Sequence, residues 1–173
     1  TLPEGWFGYR VLGGGTDEER RMDTVEVNAV HPPEPGHANL NSLYAESMEK
    51  VFSFAAGKLD LSLGRAVVRG VDCTDAPLSN LRPEVRTLDG QPVDAMVAFL
   101  GKREKIPAIG RSGTNPDGRV FLGNLPPGDV VVELWGDVDG VDTRVSCEVL
   151  PVEADMTTTV RARPLREDSC ADL

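Results

Sequence analysis

Apolar and polar side chains alternate over most of the second half of the chain. The pattern has a period of two residues at 130–135, 143–149 and 156–162, as expected for strands with one buried face. Shorter segments with strand character lie at residues 65–72, 84–87, 95–100 and 119–122. The alternation therefore predicts a chain built mainly from short β-strands.

Turn dipeptides separate these strand candidates. They are Asp89-Gly90, Asp117-Gly118, Pro127-Gly128 and Asp139-Gly140. Short strands with a turn every ~8–15 residues are typical of a β-sandwich and not of a parallel sheet. We therefore predict an all-β antiparallel sandwich of about seven strands.

One segment, at about residues 42–56, has helical periodicity instead. The apolar side chains at this spacing are Leu40, Leu43, Tyr44, Met48, Val51, Phe52, Ala55 and Leu59. Asn41 or Ser42 can cap the start, and Gly57 stands where a left-handed cap would end the helix. The apolar stripe fits either a partner or membrane surface or the protein's own sheet. We favour the sheet, because most amphipathic helices cover a core.

The first third of the chain differs from the rest. Strand candidates near residues 6–9 and 24–30 are followed by a Pro-rich linker at residues 31–37. Two strands do not form a sandwich alone, so they must pair with the main body or with a sheet of another chain. The predicted division is strands and linker at 1–38, a helix at 39–60, the sandwich at 64–163 and a tail at 164–173.

Residues 88–100 and 114–132 resemble the carboxypeptidase regulatory-like domain, a relative of transthyretin-like and collagen-adhesin B-type sandwiches. The first segment is similar to its DGxPVxGAxV hairpin, and the second to its TDxDGxFxFxxLPPGxYxLxV pattern. Ala95 and Val130 depart from these patterns, which have Gly-Ala and Tyr there. The resemblance implies an Ig-like or transthyretin-like sandwich with one accessory helix and no catalytic residue set to transfer.

Residues 5–9 and 64–73 are similar to a second pattern, found in multi-domain envelope lipoproteins of myxobacterium-like bacteria. There a Gly-aromatic-Gly-Tyr strand closes one sandwich and a GxxVVxxxDC strand opens the next. The resemblance implies a chain that starts partway into a longer protein, with a lipid anchor upstream. It also implies an extracytoplasmic location: periplasm, outer-membrane surface or secreted.

Charge and hydropathy narrow the choice of partners. The net charge of −10 opposes binding to nucleic-acid phosphates, and no apolar window approaches the ~18 residues of a membrane span. The basic cluster Lys102, Arg103 and Lys105 lies between strands. Because loops of rigid sandwiches carry binding, we predict a contact loop there, continuing through residues 106–117.

The three cysteines fit no zinc-ligand spacing. They allow one disulfide in three ways with one thiol left over, or they are small buried hydrophobic side chains. The extracytoplasmic location favours oxidation to a disulfide, for which Cys73 and Cys147 are one candidate pair. Cys170 is then the remaining thiol.

We predict no catalytic, cofactor-binding or metal-binding residues. His31 and His37 lie together in the Pro-rich linker, where further ligands and fixed geometry for a metal are not evident. The acidic segment from Asp137 to Asp142 is similar to a calcium loop only in its alternating carboxylates. No bidentate Glu closes it, so an acidic hairpin tip is the favoured interpretation.

These observations predict a non-catalytic structural or protein-interaction module of a bacterial cell-envelope or extracellular assembly. Its partners would be other protein subunits. The alternative is a carbohydrate-binding accessory domain of a secreted hydrolase, which requires a row of exposed aromatic side chains. An enzyme is the third hypothesis, and it would need a metal site or cleft that the sequence does not display.

Overall fold

The computed structural model describes residues 9–12, 23–27, 45–53, 57–100, 108 and 110–164. Within them lie a single helix and nine strands. In chain order these are β1 (Tyr9–Val11), β2 (Thr24–Val27), α1 (Ala45–Phe52), β3 (Gly64–Gly70), β4 (Arg82–Thr87), β5 (Met96–Phe99), β6 (Arg119–Leu125), β7 (Gly128–Val138), β8 (Val141–Val152) and β9 (Thr157–Ala162).

The strands form two sheets. The large sheet has the order β1-β2-β9-β3-β6-β5, and the small sheet has the order β4-β7-β8. The predicted all-β sandwich with one small helix is therefore confirmed. The observed sandwich is not purely antiparallel, because β9 runs parallel to both β2 and β3. The reason is topological: the chain crosses from β8 in one sheet to β9 in the other instead of turning back in a hairpin.

The two N-terminal strands extend the large sheet. β1 pairs with β2, and β2 pairs with β9 in a register that places Thr24 beside Thr157. The Thr157 N–H also donates to the Asp23 carbonyl at 3.0 Å. Of the two pairings considered from the sequence, these strands therefore adopt the one with the main body.

Apolar side chains of both sheets meet in the core between them. The small sheet contributes Val85, Val132 and Leu134, while Val68 and Leu122 come from the large sheet. The inward positions in β7 follow the predicted alternation. Burying one such side chain contributes roughly 1.5–3 kcal/mol to the free energy of unfolding, so this layer is the main source of stability.

Helix α1 packs on the opposite face of the large sheet. Met48 and Phe52 are buried against Met96 and Phe121. The described part of the apolar stripe therefore faces the protein's own sheet. Gly123 in β6 allows the close approach, since a Cβ there would lie 2.8 Å from Leu59 Cδ1 and 3.1 Å from Phe52 Cζ. The ends of the predicted helix, at 42–44 and 54–56, lie outside the described residues.

Positive φ angles occur at the predicted turn dipeptides. Asp139 and Gly140 have φ of 55° and 83° and join β7 to β8 as a two-residue hairpin turn. Gly118 has φ of 72° and passes so close to Gly70 that a Cβ would overlap its carbonyl oxygen. At Gly118, therefore, both the backbone angle and the space require glycine.

The candidate disulfide between Cys73 and Cys147 is not formed. Cys73 is a free, exposed cysteine in the turn after β3, where the Asp72 carboxylate accepts hydrogen bonds from the N–H groups of Thr74 and Ala76. Cys147 is buried in β8 and is disulfide-bonded. Cys147 lies in the small sheet and Cys73 in a turn that follows a strand of the large sheet, which the spacing along the chain did not reveal. Cys170 lies outside the described residues.

Candidate protein-contact site

A groove of about 420 Å³ opens where β4 and β5 form edges of the two sheets. Its apolar lining comes from Val85 in β4, from Val97 in β5 and from Val93 and Ala95 in the connection between them. Val85 belongs to the core, and the other three pack against it while remaining partly exposed. The groove is thus a place where core side chains reach the surface.

The connection from β4 to β5 shapes the groove by pairing back onto β4. The Thr87 N–H donates to the Gln91 carbonyl at 2.9 Å, and the Val93 N–H donates to the Val85 carbonyl at 2.9 Å. Gly90, with φ of 83°, makes the turn. These bonds occupy part of the β4 edge, so side chains rather than free edge amides dominate the groove.

Glu133 on β7 lines the same groove and forms two ion pairs. Its Oε1 accepts from Arg144 Nη1 at 2.6 Å and from Arg86 Nη2 at 3.2 Å. Burial on its own raises the pKa of the Glu133 carboxyl, but the hydrogen bonds and charges of Arg144 and Arg86 outweigh burial. The pKa therefore lies below its usual value. Glu133 is ionised at neutral pH and links all three strands of the small sheet.

The sequence did not single out Glu133. Its alternation with Val132 and Leu134 indicated an outward, solvated carboxylate, but the residue is only 6% exposed. The pattern that would identify it is an opposite charge on each neighbouring strand. That pattern becomes visible only when the strand register places Arg86 and Arg144 beside it.

In the acidic hairpin that joins β7 to β8, two carboxylates accept hydrogen bonds from groups of the same chain. Asp142 accepts two hydrogen bonds from Arg82 Nη2, at 2.6 and 2.7 Å, and Asp137 accepts one from the Gly140 N–H at 2.9 Å. Among the residues placed by the structure, no group of three or more His, Cys, Asp or Glu is arranged to hold a metal ion. His31 and His37 are not part of that set.

The predicted contact residues Lys102, Arg103 and Lys105 lie outside the described residues. What the structure describes is the base of their loop, where the Ala108 N–H donates to the Phe99 carbonyl at 2.8 Å. The two ends of this loop therefore meet at the end of β5, the strand that also lines the groove.

Two residues late in the segment expected at the contact surface are buried. Thr114 and Asn115 are both 0% exposed. The Thr114 hydroxyl accepts from the Leu81 N–H at 3.0 Å and donates to the Leu78 carbonyl at 2.9 Å. Thr114 therefore fixes the approach to β4, and neither buried side chain is available to a partner.

The described aromatic side chains do not form an exposed platform. Phe52, Phe99 and Phe121 are buried, and Trp135 is partly buried.

Within the part of the chain that the structure covers, no helix has the length and apolar character of a membrane span.

No protein-family model and no curated protein sequence matches the chain. Among solved structures, the minor pilin GBS52 of Streptococcus agalactiae aligns with a TM-score of 0.39 and 16% identity over 65% of this chain and 49% of the pilin. The shaft pilin spaA of Lactobacillus rhamnosus GG aligns with a TM-score of 0.37 and 8% identity over 60% of this chain and 47% of the pilin. BcpA, the major pilin subunit of Bacillus cereus, aligns with a TM-score of 0.35 and 13% identity over 60% of this chain and 31% of the pilin. The chain spans about half or less of the length of each of these pilins.

Proposed function

We propose that the chain is a non-catalytic structural or protein-interaction module of a bacterial cell-envelope or extracellular assembly. The observation that carries this proposal is the groove between β4 and β5. It exposes apolar side chains that continue into a rigid core, beside charged groups at Glu84, Arg86 and Glu133. An apolar floor with a mixed-charge rim is the usual anatomy of a protein contact.

The groove suits an extended segment of another protein. Its floor is formed by Val93, Ala95 and Val97, whose partial exposure leaves apolar surface that a partner would remove from water. Exposed Glu84 offers a negative charge for orienting that segment. Since the scaffold is two packed sheets, little ordering of the module itself is needed on binding.

The basic loop with Lys102, Arg103 and Lys105 is proposed as a second contact element. Its base adjoins β5, so loop and groove share one edge of the sandwich. In a chain with a net charge of −10, three cations in four positions are a local exception. They would attract an acidic segment of the partner.

The proposed module is the carboxypeptidase regulatory-like domain over residues 64–163, placed outside the cytoplasm. The disulfide at Cys147 supports this location, because disulfides persist mainly in oxidising compartments. A lipid anchor upstream remains part of the same proposal. The carbohydrate-binding alternative needs exposed aromatic side chains, and those that the structure describes are buried or partly buried.

The test is site-specific photo-crosslinking in the cells that make the protein. A photoreactive phenylalanine derivative replaces Glu84 at the groove, and a matched variant carries it at Glu49 on the exposed side of α1. We expect a protein adduct from position 84 and none from position 49. Equal adducts from both positions, or none from position 84, would contradict the groove as the contact site.

A further inference from the structure

The centre of the outer face of the small sheet is buried, although α1 packs on the large sheet. Val131 and Glu133 point away from the core side chains Val130, Val132 and Leu134, and are 0% and 6% exposed. Cys147, paired with Glu133 in the register, is 3% exposed. An outer face of a sandwich sheet is normally in contact with water, so this degree of burial requires a covering segment.

Trp135 marks the same face. It follows Glu133 by two positions in β7 and pairs with Arg144 of β8. Its ring nitrogen Nε1 is buried and has no hydrogen-bond partner among the described residues. A buried indole N–H normally finds an acceptor, which the covering segment can provide.

The cysteines identify that segment. Cys147 lies on the covered face and is disulfide-bonded, while Cys73 is free. The chain contains only one further cysteine, Cys170. We propose that Cys147 forms its disulfide with Cys170, and that this bond fixes residues 165–173 over the outer face of the small sheet.

The course of the described chain makes this connection short. After β9, the Arg163 N–H donates to Glu148 Oε1 at 3.2 Å, so the chain is next to β8 one residue from Cys147. The six Cα–Cα steps from Pro164 to Cys170 can span up to ~20 Å when extended. That reach covers the width of a three-stranded sheet, whose strands are ~4.8 Å apart.

Forming the bond is a two-electron oxidation. The thiols of Cys147 and Cys170 each lose a proton, and the two electrons pass to a disulfide oxidant, which is reduced to two thiols. Oxidised glutathione in a refolding mixture, or a disulfide oxidoreductase in the cell, is an oxidant of this class. Cys73 takes no part and remains a thiol.

Peptide mapping of the oxidised full chain tests the pairing. Free thiols are alkylated before trypsin digestion, without reduction. We expect the peptide 145–161 joined to the peptide that begins at Glu167, with alkylated Cys73 in peptide 70–86. Reduction should separate the joined peptides. A Cys73–Cys147 bond, a bond between two copies of the chain, or alkylation of all three cysteines would overturn the proposal.

Fluorescence tests whether the segment covers the sheet. In a Trp6→Phe background Trp135 is the remaining tryptophan, and acrylamide quenching reports its exposure. Cys170→Ser should raise the quenching constant at least about twofold because the cover is released, and Cys73→Ser should leave it unchanged. If the disulfide is present but Cys170→Ser does not change quenching, residues 165–173 are not the cover and that part of the proposal fails.

Discussion

Glu133 is the residue that connects the three strands of the small sheet through its side chain. It lies on the central strand, and its carboxylate accepts from one arginine on each neighbouring strand. Removing one partner of a buried pair is costly, because the remaining charges stay in a poorly solvated site. The carboxylate therefore stabilises the sheet only as part of the set with Arg86 and Arg144.

Glu133→Gln should lower the free energy of unfolding by about 2 kcal/mol at pH 7, because Arg86 and Arg144, both partly buried, lose their ion pairs with this carboxylate. The folded pKa of Glu133 is depressed, so its contribution is full above the unfolded value of about 4.3 and declines as pH falls below it. Urea unfolding at pH 7 and pH 3 measures the free energy of unfolding of both proteins. The difference in this free energy between wild type and variant should be smaller at pH 3 than at pH 7.

The matched control is Glu84→Gln. Glu84 lies directly opposite Glu133 in the register but is exposed. This change should alter stability by less than about 0.5 kcal/mol at either pH. If both variants behaved alike, the ion pairs of Glu133 would not stabilise the sheet.

Gly118 provides a second prediction for a single residue. Gly118→Ala places a methyl group against the Gly70 carbonyl oxygen at a positive φ, and should cost at least about 2 kcal/mol in chemical denaturation. Gly140 also has a positive φ, but a Cβ added there would meet no atom within 4 Å. Gly140→Ala should therefore lower the free energy of unfolding by only about 1 kcal/mol. Equal losses would show that the close approach between Gly118 and Gly70 is unimportant.

Among the elements, α1 depends on tertiary contacts. It has eight residues, too few for a stable helix in water, so packing on β5 and β6 must hold it. Phe52→Ala should reduce stability by about 3 kcal/mol and expose the helix amides to hydrogen exchange. Glu49→Ala, on the exposed side, should stay within about 0.5 kcal/mol. An undiminished exchange protection in Phe52→Ala would contradict docking through this residue.

Local patterns predicted most elements and missed long-range relations. Alternation and Asp-Gly turns located β7 and β8, because strand faces and tight turns are set by neighbouring residues. The parallel placement of β9 was not predictable, since a crossover between sheets leaves no mark in side-chain periodicity. The burial of Glu133 and the bonding state of Cys73 depend in the same way on which strands lie side by side.

At the scale of the whole molecule, the two faces of the sandwich are used differently. Helix α1 packs on the outer face of the large sheet at β5 and β6, and the centre of the outer face of the small sheet is also buried. The groove between the edges β4 and β5 is therefore a place where apolar core side chains remain open to a partner. This arrangement favours contact at the edge of the sandwich rather than through a sheet face.

The most direct test of this account is a structure of the chain within its native assembly. We predict a protein contact that buries at least about 1,000 Å² in total and fills the groove at Val93, Ala95 and Val97. The basic loop at residues 102–105 should lie at the same contact. A native assembly in which the groove faces only solvent, or in which this chain buries less than that area, would contradict the account.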